Sequence, residues 1–118
     1  MKTQNEIESA LAQFYGTNEW HRWSVLFPYT LTDGAKFVAD ECQAYWLMDA
    51  IASWQASKLR GQPFQVWNLV VGDRSAVLIC DNGNGKELCR QKIPYTDFPL
   101  PEITLYFIDG VILLPSEY

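Results

Sequence analysis

Apolar residues recur at helical spacing near the start of the chain. Ile7, Ala10, Leu11 and Phe14 fall on one stripe, as on a helix with one buried side. Thr3 and Glu6 have the spacing of a capping box. This pattern predicts a helix over residues 4–14, ended by Gly16.

A second helical region is predicted from Asp33 onward. Residues 43–57 are apolar almost all round, which is typical of a helix buried on more than one side. Asp49 is the only charged residue between Glu41 and Lys58. Between the helical regions, residues 17–31 are aromatic and irregular, with a short extended piece expected around 25–31.

The hydrophobic period changes to two after residue 63, which predicts strands. The turns at Asn82–Gly85 and Asp109–Gly110 favour antiparallel hairpins, and three prolines make residues 94–101 an extended loop. We therefore expect an α+β fold in a single domain, 1–118, mainly helical over 1–60 and a sheet over 63–118. The N-terminal helices would pack on one face of an antiparallel β-meander of about five strands. The predicted strands are 64–71, 75–81, 87–93, 102–108 and 111–114.

The turn positions also predict the register of two hairpins. A two-residue turn at 109–110 pairs residues whose numbers add to 219. The face with Ile103, Leu105 and Phe107 is then apolar and should meet the helices. The opposite face is mostly apolar as well, so other residues or another chain should cover it. Its predicted members are Thr104, Tyr106, Ile108, Val111 and Leu113.

Cys80 and Cys89 flank the other turn. If Asn84-Gly85 forms a type I′ turn, these two cysteines lie directly opposite each other on one sheet face. That arrangement would permit a disulfide under oxidising conditions, although we expect thiols in the cell. Three cysteines, no C-x-x-C and one histidine favour reduced thiols, a cytoplasmic location and no zinc site.

Charge and composition exclude several function classes. The 118 residues are 48% hydrophobic and carry a net charge of −5, so a nucleic-acid partner is not expected. The charge is uneven, because residues 58–92 hold six bases and three acids. The apolar runs are too short to span a membrane, and residues 1–8 are too polar for a signal peptide. Asn82–Gly85 matches neither a calcium loop nor a phosphate loop, so we expect no cofactor or metal.

Four polar or aromatic residues are candidates for a functional site: Trp20, His21, Trp23 and Asp49. Asp49 is predicted to be buried, either paired structurally or acting on a ligand together with Tyr45 or His21. His21 is a surface or hydrogen-bonding residue, or else a general acid–base group. Trp20 and Trp23 close the edge of the core or form a partner surface or stacking platform. On the outer sheet face, Tyr106 and Leu113 are the candidate interface residues.

The segments FYGTNEWHRW (14–23), AYWLMDAIAS (44–53), FQVW (64–67) and 93–118 resemble a family of bacterial proteins of unknown function. Its members have a similar length and are frequent in cyanobacteria and on plasmids and phages. The resemblance covers nearly the whole chain in the same order of segments. It implies no activity, cofactor or catalytic residue.

The leading hypothesis is a non-enzymatic protein-interaction domain whose partner is another protein or a second copy, as a homodimer. A mobile-element protein that inhibits a host defence system fits this description, and so do many housekeeping adaptors. The alternative is a small enzyme or ligand-binding protein that uses a buried Asp49.

Overall fold

The first helix begins at the predicted capping residue, Thr3. The computed structural model describes residues 2–118 and has α-helices at Gln4–Leu11 (α1), Asp33–Glu41 (α2) and Tyr45–Gln55 (α3). Thr3 Oγ1 accepts a hydrogen bond from the Glu6 N–H at 3.2 Å, and Glu6 accepts one from the Thr3 N–H at 3.0 Å. The capping box is therefore confirmed. Helix α1 ends three residues earlier than its apolar stripe suggested.

The second helical region is divided into two helices. Thr32 caps α2 by accepting a hydrogen bond from the Ala35 N–H at 3.2 Å. Between α2 and α3, Gln43 has a φ of 50°, a left-handed conformation that an α-helix cannot include. The chain therefore turns at this residue before α3 begins.

The α+β class is confirmed, but the predicted meander of about five antiparallel strands is wrong. The sheet has seven strands in the order β1-β2-β7-β6-β3-β4-β5, and β2 runs parallel to β7. Two strands come from the aromatic segment 17–31 and are two residues long, too short to show any alternation. The loop at 94–101 returns the chain so that β6 pairs with β3. The strands are His21–Arg22 (β1), Thr30–Leu31 (β2), Phe64–Val71 (β3), Ala76–Asp81 (β4), Glu87–Ile93 (β5), Glu102–Ile108 (β6) and Val111–Leu113 (β7).

Both predicted hairpin registers are confirmed. In the β6–β7 hairpin, Tyr106 pairs with Leu113 and Ile108 pairs with Val111. In the β4–β5 hairpin, Cys80 pairs directly with Cys89, next to a bulge at the turn end of β4. Both thiols are buried and free, and burial raises the pKa of each. They therefore stay protonated at neutral pH and react slowly.

Alternate residues of the sheet enter the main core. Trp67, Leu69, Leu105 and Ile112 are all at most 1% exposed. They belong to one cluster with buried residues of the three helices, such as Ile7, Val38 and Leu47. The remaining strand residues point to the opposite side of the sheet, the outer face.

Candidate functional site

The outer face is apolar across its central strands. Thr104 donates a hydrogen bond to Asn68 Oδ1 at 2.6 Å, which shows that β6 and β3 present these residues on the same side. Each outer-face residue except Leu113 remains at least partly exposed. Four charged residues, Asp81, Arg90, Lys92 and Glu102, lie at the margins of the outer face. Its uncharged residues are Phe64, Val66, Asn68, Val70, Val77, Ile79, Thr104, Tyr106, Ile108, Val111 and Leu113.

An aromatic cluster lies on the outer face. The ring of Tyr106 is 5.1 Å from that of Phe64 and 5.8 Å from that of Tyr118, measured between centroids. Phe64 and Tyr118 are also 5.8 Å apart. Tyr118 nevertheless remains 79% exposed, so this cluster borders solvent and leaves a large aromatic surface free.

Beside the aromatic cluster is a shallow groove of about 300 Å³. Trp20, from the segment before β1, lines it together with Val111, Leu113 and Tyr118. The prediction that Leu113 lies open on the outer face needs correction, because its side chain is only 8% exposed. Trp20 itself is 60% exposed. The structure thus brings Trp20, Tyr106 and Leu113 to one surface.

His21 lies at the N-terminus of α2. Its Nε2 is 2.7 Å from Asp33 Oδ1, and the other carboxylate oxygen of Asp33 accepts the Asn18 N–H at 2.9 Å. The hydrogen bond from Asn18, followed by that from His21, lowers the pKa of Asp33. The negative charge also suits the first turn of a helix. These two contacts join β1 and the segment before it to α2.

The Asp33 carboxylate should make the unfolding free energy depend on pH. Because the pKa of Asp33 is lower in the folded than in the unfolded chain, its stabilising effect is complete above the unfolded value. That contribution should be lost as the pH falls through and below the unfolded value of 3.8. Urea unfolding of wild type and Asp33→Asn measures it as the difference in unfolding free energy. A difference that stays constant over this range would contradict the assignment.

The prediction that Asp49 is buried is wrong. Its side chain lies on the exposed side of α3, in line with Tyr45 and Ser53, which are spaced four residues apart. Asp49 Oδ1 accepts a hydrogen bond from the Trp23 indole N–H at 2.8 Å. The desolvation cost of this carboxylate is small because solvent still reaches it. The hydrogen bond ties the loop between β1 and β2 to α3.

The polar candidates do not converge on one reactive centre. Tyr45 donates to Asp40 at 2.5 Å, whereas His21 pairs with Asp33 and Asp49 with Trp23. The described residues contain no group of three or more His, Cys, Asp or Glu side chains placed to hold a metal ion. Within residues 2–118, no helix has the length and apolar character needed to cross a bilayer.

Comparison with known proteins gives a family but no activity. Residues 5–118 match the family described as "Family of unknown function (DUF6876)". The chain belongs to this family. No curated protein and no solved structure matches the sequence.

Sequence reasoning missed the residue of this DUF6876 chain that joins its C-terminus to α2. Glu117 lies in the short 3₁₀ helix Pro115–Glu117. Its carboxylate accepts hydrogen bonds from the Thr32 hydroxyl at 2.6 Å and from the N–H groups of Gly34 and Leu114, both at 3.0 Å. The sequence offers no signal for this contact, because Thr32 and Glu117 lie 85 residues apart.

A buried amide pair was also missed in this family member. Gln55 of α3 and Gln65 of β3 exchange two hydrogen bonds, at 2.7 and 2.8 Å. Gln65 is fully buried and also accepts the Trp67 indole N–H at 3.0 Å. Gln65 lies on the inner side of β3, where a glutamine gives no indication of its partner in the sequence.

Proposed function

We propose that this protein is a non-enzymatic protein-interaction domain that binds its partner through its outer face. The proposed partner is a second copy of the chain. The observation that carries this proposal is the composition of the outer face. Within β6, β3 and β4, its residues between the strand ends bear no charge. Its middle is partly exposed and combines Val66, Ile79 and Tyr106 with the mutually hydrogen-bonded pair Asn68 and Thr104.

An uncovered face of this kind is unusual for a monomer. Exposed apolar patches above several hundred Å² generally mark binding surfaces. A sheet face that is open to water normally alternates polar residues with the apolar ones of the core side. Here the outer side is mostly apolar between the strand ends, and its polar pair, Asn68 and Thr104, is hydrogen-bonded to itself. Burial of this area against a partner would be favourable, at about 25 cal/mol per Å² of apolar area.

The aromatic segment 17–31 does not supply this cover. Trp20 lines the groove at the margin of the outer face. Trp23 is bonded to Asp49, and the Tyr29 ring packs 5.2 Å from Phe107, a residue of the opposite sheet face. The middle of the outer face therefore stays available to a partner.

Two-fold symmetry makes a second copy the simplest occupant. A two-fold axis would bring the same apolar patch of both chains together without needing a second complementary surface. The absence of Lys and Arg from residues 93–118 removes from β6 and β7 the positive charges that would oppose such a contact. A stable interface needs about 800 Å² from each partner, which the sheet face together with Trp20 and Tyr118 would have to provide.

The non-enzymatic assignment rests on the separation of the polar candidates. The alternative that needed a buried Asp49 loses its basis, since that carboxylate is exposed and bonded to Trp23. A cavity of about 550 Å³ at the end of α3 is lined by Gln55, but that amide already bonds Gln65 and the Ile51 carbonyl. The cytoplasmic location and the bacterial mobile-element setting are proposed from the cysteine usage and the sequence resemblance.

The oligomeric state tests the proposal directly. Light scattering after gel filtration at tens of micromolar should give twice the chain mass of 13.6 kDa. Tyr106→Lys and Val66→Lys should each return the mass to that of one chain, because a buried lysine without a partner is costly. Gln13→Lys, an exposed position after α1, is the matched control and should stay dimeric. A wild-type protein of 13.6 kDa would exclude a second copy as the occupant.

A further inference from the structure

The two edges of the sheet differ in length. At one edge, β1 is only two residues long. At the other edge, β5 spans Glu87–Ile93 and pairs on one side only, with β4. Alternate N–H and C=O groups of β5 therefore point away from the sheet, as in edges that accept an added strand.

The β5 edge is basic, whereas the chain as a whole is acidic. Arg90 and Lys92 are exposed, and they pair with Ile79 and Val77, so both project from the outer side of the sheet. Lys86 precedes the strand, and Lys58 lies near enough for its charge to act on Glu87. The acids at this edge are Glu87, which accepts a hydrogen bond from Arg90 at 2.7 Å, and Asp81, which pairs with Glu87 at the turn end. The whole chain carries −5.

The two sides of the β5 edge differ in chemistry. On the inner side, Gln91 accepts the Trp54 indole N–H at 2.9 Å, so the indole of α3 lies beside the edge. On the outer side are the two bases, two residues apart. An added strand would therefore meet an aromatic ring with one set of side chains and positive charges with the other set.

We propose that β5 binds an extended acidic segment of another protein by strand addition. The segment would alternate acidic residues, which face Arg90 and Lys92, with apolar residues, which lie beside Trp54. Pairing of β5 with β5 of a second copy is disfavoured, because Arg90 of each chain would face bases of the other. This surface adjoins the outer face, because Arg90 and Lys92 pair with Ile79 and Val77, but it uses the backbone of the sheet edge and not the apolar middle of that face.

A strand partner fits this edge better than a nucleic acid does. β5 itself has no aromatic side chain on which a base could stack, and the chain has a net negative charge. The open backbone groups repeat at strand spacing, which suits a peptide ladder. Phosphate binding therefore enters as an outcome of the test.

The test uses the full chain and a defined probe, the capped peptide Thr-Glu-Val-Glu-Val-Glu-Thr with a fluorescent label. Fluorescence anisotropy should show saturable binding, and hydrogen exchange should slow at amides of β5. Two versions of the peptide, N-methylated at either set of alternate residues, distinguish ladder formation from charge attraction. At least one of them should lose binding, and a peptide with Lys in place of Glu should not bind.

Variants of the protein locate the contact. Lys92→Glu should weaken binding at least about tenfold, since it replaces an attraction by a repulsion near the C-terminal end of β5. Arg60→Glu is the matched control, because it reverses an exposed base outside β5 and should change affinity little. Circular dichroism of both variants checks that the fold is retained.

Three results would overturn the proposal. No binding of the acidic peptide would mean that Arg90 and Lys92 serve only to keep the edge from pairing. Equal affinity for both N-methylated peptides would show charge attraction without a ladder. Equal or tighter binding of a single-stranded oligonucleotide, lost in Lys92→Glu, would reassign the edge to phosphate recognition.

Discussion

Gly34→Ala is expected to destabilise the fold by about 2–4 kcal/mol, although alanine normally stabilises a helix relative to glycine. A Cβ at Gly34 would lie 2.6 Å from Glu117 Oε1 and 2.6 Å from Leu114 Cδ1. These atoms cannot both remain in place. Displacement of the carboxylate would break its hydrogen bonds to Thr32, Gly34 and Leu114. Urea unfolding at a fixed protein concentration measures the loss.

Two variants accompany this measurement. Gly16→Ala is the matched control, because nothing lies within 4 Å of a Cβ there, and it should change the unfolding free energy by less than about 0.5 kcal/mol. Glu117→Ala should lower the unfolding free energy by about as much as Gly34→Ala does. The double variant should lower it by little more than either single variant. If Gly34→Ala raised the unfolding free energy, Glu117 would have to move aside without a loss of stability, which would contradict this prediction.

The local features of the fold were readable from the sequence. The capping box at Thr3 and Glu6 and the two hairpin registers depend on residues close together in the chain, and all three are confirmed. Contacts that join distant segments were not readable. The parallel pairing of β2 with β7 involves two residues of each strand and is held by the backbone, which carries no residue-specific signal.

The position of Asp49 shows why the candidate site was only partly predictable. The composition of α3 suggested burial all round, yet Tyr45, Asp49 and Ser53 share one exposed stripe. Spacing along the helix was a better guide than its apolar content. Alternation on β6 and β7 correctly placed Tyr106 on the outer face. It could not show that Trp20 and Tyr118 would close over Leu113.

These contacts give one physical account of the fold. Two distant segments meet at the α2 N-terminus: the Asn18 N–H donates to the Asp33 carboxylate, and the Glu117 carboxylate accepts the Gly34 N–H. The segment before β1 and the C-terminal 3₁₀ helix are thus held at the same place, beside the groove of the outer face. Loss of the contacts at the α2 N-terminus should therefore also displace residues of the proposed interface. Glu117→Ala should weaken self-association as well as folding.

Gln65→Leu is expected to lower the unfolding free energy by about 2–5 kcal/mol, despite the greater hydrophobicity of leucine. The substitution leaves the Trp67 indole N–H and the Gln55 side-chain oxygen without their partner in a buried place. An unpaired buried polar group costs its full desolvation penalty. Gln13→Leu, at an exposed position, is the matched control and should stay within about 0.5 kcal/mol of wild type.

The double variant Gln55→Leu/Gln65→Leu distinguishes a polar network from simple packing. If the two amides satisfy each other, removing both should cost less than the sum of the single losses, by about 1–3 kcal/mol. Only the Trp67 N–H then remains without its acceptor. Guanidinium unfolding of the four proteins, followed by tryptophan fluorescence and by circular dichroism, gives the coupling. Additive losses would mean that the glutamines contribute through volume alone and that their mutual hydrogen bonds do not stabilise the core.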